Sequence, residues 1–306
     1  MDTRYATKGK KMTDLTWLKG RPIYASISGG KDSTALALHL KELGVAFTPV
    51  FIDTGWEHPT TYEYIDTVLT PLLGNIVRLR NEKLFDPSSQ FNGGMEQMIH
   101  HHKMFPSGAV KFCTSELKVV PIQNYYAQER VRLGAKPVNC VGIRAEESAK
   151  RSTMDEIEEQ DEATVWRPLI SWTEANVVAI HHRHNVTPNP LYLKGASRVG
   201  CYPCIYARKH EIAHMGLTDP ARIDHLADLE QRITTIREAE GKGPATFFKS
   251  RRPHLATMTI REIVAWAQGS ADEEDLLHEI EDAGCMRWGM CERPTWQNLP
   301  LFREQE

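Results

Sequence analysis

The sequence predicts an α/β protein: a mostly parallel sheet flanked by helices, followed by a helical, cysteine-bearing C-terminal region. Three observations predict it. An apolar run at 23–27 leads through a glycine-rich turn into a helical stretch and then into a second apolar run at 46–52, the order of a β-loop-α-β unit. Polar residues follow that second run directly, at Asp53-Thr54-Gly55, where parallel strands present their ends to ligands. From about residue 208 onward the apolar spacing is helical.

Residues 1–20 are polar and basic and read as a flexible arm. Ile23-Tyr24-Ala25-Ser26-Ile27 reads as a short buried strand, 34–41 as a helix closed by Gly44, and 46–52 as the second strand. Asp32 or Ser33 is placed to cap the helix. A further helix opens at His58-Pro59, with Thr60 three places ahead of Glu63 in a capping-box arrangement. Residues 75–80 read as a third strand. Between about 81 and 112 the pattern fades into an expected lid or recognition loop, with His100-His101-His102 as a solvated turn.

Further along, 138–148 reads as a buried strand that delivers Arg144 and Glu146 to the carboxyl edge of the sheet. Trp166 to Ile170 is an extended segment, and Ser171-Trp172-Thr173-Glu174 enters a capped helix with Val177, Val178 and Ile180 on its apolar side. The expected core domain spans 21–207. Residues 208–306 are expected to form a helical region, with apolar positions at Leu226, Leu229, Ile233 and Ile236, at Ile260, Ile263, Val264 and Trp266, and from Leu276 to Ile280. A basic link lies around Lys249, Arg251 and Arg252.

The 306 residues are enough for a full core. Hydrophobic content of 41%, charged content of 25% and a net charge of -3 exclude a disordered chain and a surface that binds polyanions wholesale, so any nucleic-acid contact must be local. No stretch approaches about eighteen apolar residues, and the first eleven lack the apolar segment of a secretory signal, so the expectation is a cytoplasmic protein with no membrane partner. In that reducing compartment the six cysteines point to metal or thiol chemistry rather than a disulfide framework.

The chemistry concentrates at Ser28-Gly29-Gly30-Lys31-Asp32-Ser33. Glycines let the backbone approach an anion, the first amides of the helix point at it with the positive end of the dipole, and Lys31 adds a point charge. The ordinary P-loop pattern is absent, because Ala25 and Asp32 stand where it requires Gly and Ser or Thr. Asp53 is a candidate for nucleotide or magnesium contact, or for capping the turn that follows it. Cys201 and Cys204 form a Cys-x-x-Cys hook, and Cys285 with Cys291 form a wider pair, so four thiolates can close one site suited to zinc or a 4Fe-4S cluster. Cys140 reads as a small core residue. Cys113, ahead of Lys118, reads as a sulfur-carrying thiol or a buried structural one.

Ser28 to Ser33 resembles the PP-loop of the ATP pyrophosphatase, or adenine nucleotide alpha hydrolase, superfamily. The order of further stations resembles its phosphoadenosine phosphosulfate reductase branch, which includes the ATP pyrophosphatase-like proteins of DNA phosphorothioation. These stations are Ile52-Asp53-Thr54-Gly55; Cys113-Thr114 with Leu117-Lys118 and Pro121; Gly142-Ile143-Arg144 with Glu147-Ser148; and Asn189-Pro190-Leu191-Tyr192 running into Arg198-Val199-Gly200-Cys201-Tyr202-Pro203-Cys204. The resemblance covers roughly residues 21–210.

It implies a Rossmann-like sheet binding ATP or a sulfated adenylate through Ser28, Gly29, Gly30, Lys31, Asp32, Ser33, Asp53, Thr54, Gly55, Gly142 and Arg144, with Mg2+. It implies catalytic roles for Lys31, Asp32, Arg144 and Cys113. It favours a 4Fe-4S cluster on Cys201, Cys204, Cys285 and Cys291, because relatives carry cysteine-bound clusters, with zinc as the alternative. The implied activity is adenylylation of an acceptor with pyrophosphate release, after which sulfur displaces AMP, in DNA or RNA modification with a cysteine desulfurase as donor. The alternative is a sulfonucleotide reductase served by thioredoxin-like thiols. Such a reductase carries its thiol in a Glu-Cys-Gly-x-His setting near the C-terminus, whereas this tail reads Ala283-Gly284-Cys285-Met286 and Gly289-Met290-Cys291-Glu292. A third reading is a non-catalytic nucleotide-sensing module contacting a partner through Arg208-Lys209-His210 or Lys249-Ser250-Arg251-Arg252. A homo-oligomer is expected.

Overall fold

The computed structural model describes residues 14–88, 91, 93–248, 258–269 and 288. Six strands, β1 (Ile23–Ile27), β2 (Thr48–Ile52), β3 (Val77–Leu79), β4 (Val138–Cys140), β5 (Ile157–Glu159) and β6 (Thr164–Trp166), form one sheet in the order β3-β2-β1-β4-β6-β5. All ladders are parallel except β5 with β6. Ala25 sits opposite Pro49 on one side and Cys140 on the other. Strand order therefore reverses between β1 and β4, the place where an open α/β sheet leaves a crevice beyond its strand ends.

Parallel neighbours need crossovers, and α1 (Lys31–Glu42) supplies the first. Ala35, Leu36, Ala37, Leu38 and Leu40 have no exposed surface, because the helix packs in one core with Ala25 and Ile27 of β1 and with Val177 and Ile180 of α5 (Glu174–Arg183). Each buried leucine contributes about 1.5–3 kcal/mol. Between β2 and β3, α2 (Pro59–Tyr64) runs through a π-helical turn, Ile65–Leu69, into Thr70–Leu73. The opposite face of the sheet packs Tyr24 and Val50 against Tyr126 of α4 (Val120–Leu133). Helix α3 (Gly94–His102) precedes α4 in the chain.

The chain divides into two compact units. The first holds the sheet and comprises the described residues through His101, Val110–Thr187 and Gly200–Tyr202. The second comprises His102–Ala109, Pro188–Val199 and the described residues from Pro203 on, including α6 (Lys209–Thr218), α7 (Pro220–Glu238) and α8 (Ile260–Gln268). In the second unit Ile223, Leu226, Leu229 and Ile233 of α7 are buried, as the helical spacing requires. Glu230, also buried, accepts from Phe247 N at 2.7 Å and Ile260 N at 2.8 Å, so one carboxylate fixes the segment before α8 and the start of α8 itself. No helix among the described residues is long and apolar enough to cross a membrane.

The structure corrects several sequence expectations. Helix α1 begins at Lys31, and its N-cap is Gly30 rather than Asp32 or Ser33. Helix α2 is capped by His58, whose Nδ1 accepts from Thr60 N at 3.0 Å, not by a Thr60–Glu63 box. Residues 94–102, expected as loop and solvated turn, are helical because Met95, Met98 and Ile99 bury one face that the histidine triplet obscures in the sequence. Strand β4 stops at Cys140; after it Ile143 N turns back to Val141 O and the Glu147 carboxylate takes Arg144 N, local bonds that displace the ladder. The antiparallel edge strand β5 had no expectation attached. The segment 276–280, the basic link at 249–252, Cys285 and Cys291 lie outside the described residues.

Candidate functional site

The loop between β1 and α1 is closed by two serines. Ser33 Oγ accepts from Ser28 N and lies within hydrogen-bond distance of Ser28 Oγ, both at 3.1 Å, while donating to Gly30 O at 2.9 Å. Gly30 N reaches Ser28 Oγ at 3.4 Å. Gly29 has φ +73°, and a Cβ there would lie 2.7 Å from Thr61 Cγ2, so both backbone conformation and space demand glycine. This clasp holds the first turn of α1, whose amides have no intrahelical acceptor, at the reversal point of the sheet.

Around that turn the charged residues form a ring. Buried Lys31 places Nζ 3.3 Å from Glu174 Oε1 at the start of α5. Asp32 Oδ1 takes Arg144 Nε at 2.5 Å, and Arg144 Nη1 also pairs with Glu146. Glu146 Oε1 in turn accepts Glu174 N at 2.6 Å, which closes the circuit. Burial by itself would lower the Arg144 guanidinium, but Asp32, Glu146 and Glu147 outweigh it and hold the group above its ordinary value. Gly142 makes the circuit possible: a Cβ there would stand 2.5 Å from Asp32 O, so only glycine lets the loop after β4 meet the start of α1. His181 of α5 lies buried behind this helix start with Nδ1 2.8 Å from Val177 O, and burial pulls its imidazole down to about 4.

Beyond β2, Asp53 Oδ1 accepts from Gly55 N at 2.9 Å, the turn-capping bond, and from Tyr62 Oη at 2.7 Å. Thr54 Oγ1 donates to Glu57 Oε1 at 2.7 Å. Burial, then Glu57 and Asp53, push the Tyr62 phenol well above its ordinary value, so it stays a proton donor.

Thus Ser28, Gly29, Gly30, Lys31, Asp32, Ser33, Gly142 and Arg144 are brought together, with Asp53, Thr54 and Gly55 at the end of the strand beside β1. Cys113 sits on the helical turn Phe112–Thr114, half-buried, its Sγ 4.0 Å from Thr114 Oγ1; the ring of ion pairs is built without it. Cys201 pairs with Glu57 in an isolated antiparallel bridge, reinforced by Tyr202 N on Trp56 O at 2.9 Å. Cys204 belongs to the second unit, where its carbonyl accepts Ala207 N at 2.8 Å. Among the described residues no three His, Cys, Asp or Glu side chains converge as metal ligands. Cys140 is a core residue, and burial pushes its thiol up. Sequence reading did not single out Glu174, Glu57 or Tyr62; the signal for Glu174 was a carboxylate directly after a Thr N-cap, and for Glu57 its nearness to Asp53.

A glycine-rich turn at a helix start, placed where strand order reverses, defines a nucleotide-binding α/β protein of the doubly wound class. Residues 22–207 match the phosphoadenosine phosphosulfate reductase domain, and the chain belongs to that family, within the PP-loop superfamily. It is 31% identical over 291 residues to an uncharacterised 37.8 kDa protein of Escherichia phage 186, covering 82% of this chain and 86% of that one. It is 29% identical over 157 residues to an adenosine 5'-phosphosulfate reductase of Bacillus pumilus, covering 51% of this chain and 61% of that one. A crystal structure of phosphoadenylyl-sulfate reductase from Candida auris, a phosphate complex, aligns with a TM-score of 0.44 at 18% identity over 62% of this chain and 85% of that one.

Proposed function

We propose that the chain binds ATP through residues 28–33 and adenylylates an acceptor oxygen, preparing it for sulfur transfer. The acceptor oxygen attacks the α-phosphorus, the bond to the β-phosphate oxygen breaks, and pyrophosphate leaves with the electron pair. A sulfur nucleophile then displaces AMP. The observation that carries this reading is the first turn of α1, where the loop amides, Lys31 and Arg144 share one place at the strand ends. Lys31 holds the leaving phosphates and Arg144 clamps the reacting one.

The charge balance favours ATP with magnesium. Lys31 and Arg144 face three carboxylates, those of Asp32, Glu146 and Glu174, so a polyphosphate needs a divalent cation with it. Magnesium takes one or two carboxylates and completes its shell from phosphate and water, which these residues fit. When bound it would neutralise charge on the phosphates. Cys201, Cys204, Cys285 and Cys291 are proposed as the ligands of a cluster or zinc ion, and iron content against a Cys204→Ser variant tests it. A nucleic-acid acceptor, a cysteine desulfurase donor and a cytoplasmic setting belong to the same proposal.

The deciding experiment measures pyrophosphate released from ATP by the full chain. Release that is lost in Lys31→Ala supports the reading; equal release by wild type and Lys31→Ala overturns it. The likeness to adenosine 5'-phosphosulfate reductases supports a second reading, reduction of a sulfated adenylate to sulfite with thiols from a thioredoxin-like partner. Sulfite formed without ATP turnover would decide for it.

A further inference from the structure

We propose that Glu174 is a displaceable counter-charge for Lys31: its carboxylate competes with an incoming phosphate for the ammonium, and so sets how strongly the loop at 28–33 holds an anion that arrives without a cation. The inference rests on the reading that a nucleotide binds at those residues. Lys31 Nζ lies 3.3 Å from Glu174 Oε1, with the lysine side chain 7% exposed and the glutamate 33% exposed. A buried ammonium needs an opposite charge beside it, and here a carboxylate supplies that charge before any phosphate does. Of the two partners, only the glutamate has water to move into.

The carboxylates around the start of α1 are not held alike. Asp32 Oδ1 is clamped by Arg144 Nε at 2.5 Å, and Glu146 bridges Arg144 Nη1 and Glu174 N. Both therefore stay with Arg144. Glu174 is anchored through its backbone: its N donates to Glu146 Oε1 at 2.6 Å, and the turn around it is closed by Thr173 N on Asn176 Oδ1 at 2.9 Å and Asn176 N on Thr173 Oγ1 at 3.3 Å. The side chain can swing toward solvent while the helix start stays in place. Because Glu174 is the first residue of α5, its carboxylate remains near the positive end of that helix after it leaves Lys31, which offsets part of the loss. A free polyphosphate must displace this carboxylate or sit against it, at the cost of like-charge repulsion. A polyphosphate that carries magnesium brings the charge that lets both remain.

The test titrates α,β-methylene-ATP, which cannot release pyrophosphate, into the full chain by calorimetry, once in EDTA and once in magnesium. In EDTA, Glu174→Gln is expected to bind at least about tenfold more tightly than wild type, because a like-charge contact has gone. In magnesium the two should bind alike. A merely structural role would lower affinity rather than raise it, so the sign of the change separates the two. The gain should vanish in the Lys31→Met, Glu174→Gln double variant, and a gain that survives there overturns the inference. Unchanged or weaker binding by Glu174→Gln in EDTA overturns it too, with Glu174→Ser as the second neutral variant; so does weaker binding in magnesium, which would make Glu174 a ligand of the cation. Equal affinity of wild type with and without magnesium overturns it whatever the variants do. In those outcomes Lys31-dependent nucleotide binding survives and this inference alone fails. If neither wild type nor variant binds under either condition, the nucleotide reading fails and takes the inference with it.

Discussion

Replacing Gly142 with alanine tests the close approach on which the charged ring depends. The added Cβ would stand 2.5 Å from Asp32 O, 2.8 Å from Asp32 C and 3.1 Å from Ser33 N, all backbone atoms that no rotamer change can move. Restoring an ordinary contact of 3.4 Å requires the loop after β4 or the start of α1 to retreat by about 0.9 Å. Neither can retreat alone, because Arg144 Nε holds Asp32 at 2.5 Å and Val141 N holds Trp166 O at 2.9 Å. Overpacking of this kind costs about 1–3 kcal/mol. A displacement near 1 Å at the start of α1 is expected to weaken the proposed reaction there by up to about a hundredfold. Urea denaturation compares Gly142→Ala with Gly243→Ala, a reference at which a Cβ meets nothing within 4 Å. ATP titration of the same proteins reads the site. An unfolding midpoint and an ATP affinity equal to those of the reference would refute the steric reasoning.

Two further perturbations probe the same region. His181 is held near 4 by burial, below its unfolded value of about 6.5, so the unfolded state takes up a proton first; stability should fall as pH drops from about 7 toward 4, by about 3 kcal/mol. His181→Gln should flatten that slope in urea denaturation across this range, and an unchanged slope would contradict the assignment. Arg144→Ala leaves Asp32 and Glu146 without their guanidinium; because their side chains are 19% and 43% exposed and can rehydrate, the expected cost is about 1–3 kcal/mol rather than the larger penalty of a fully buried pair. A double-mutant cycle with Asp32→Asn should return a coupling of about 0.5–3 kcal/mol, and zero coupling would show that the pair acts independently.

The sequence by itself determined the β-loop-α-β start, the glycine turn at residues 28–33 and the polar end of β2. These are local facts: a strand, a helix and a glycine turn are each written in consecutive residues, and their periodicity survives any tertiary arrangement. It also determined the apolar spacing of three and four residues that buries one side of α7. It did not reveal α3, whose short apolar face is hidden by flanking glycines and histidines, nor β5, which exists because Ile157–Glu159 pairs with β6.

Only the tertiary structure decided how the polar residues divide their partners. Asp32, legible as a helix cap, turns instead to Arg144, more than a hundred residues away, and Lys31 turns to Glu174. Tyr62, legible as one more helical residue, becomes the link between Asp53 and Glu57. The physical reason is that the Tyr62 link depends on α2 folding back beside the end of β2, while the ion pairs depend on side chains brought together by a strand order that reverses between β1 and β4. Residues far apart in sequence meet there, at distances that no local pattern encodes.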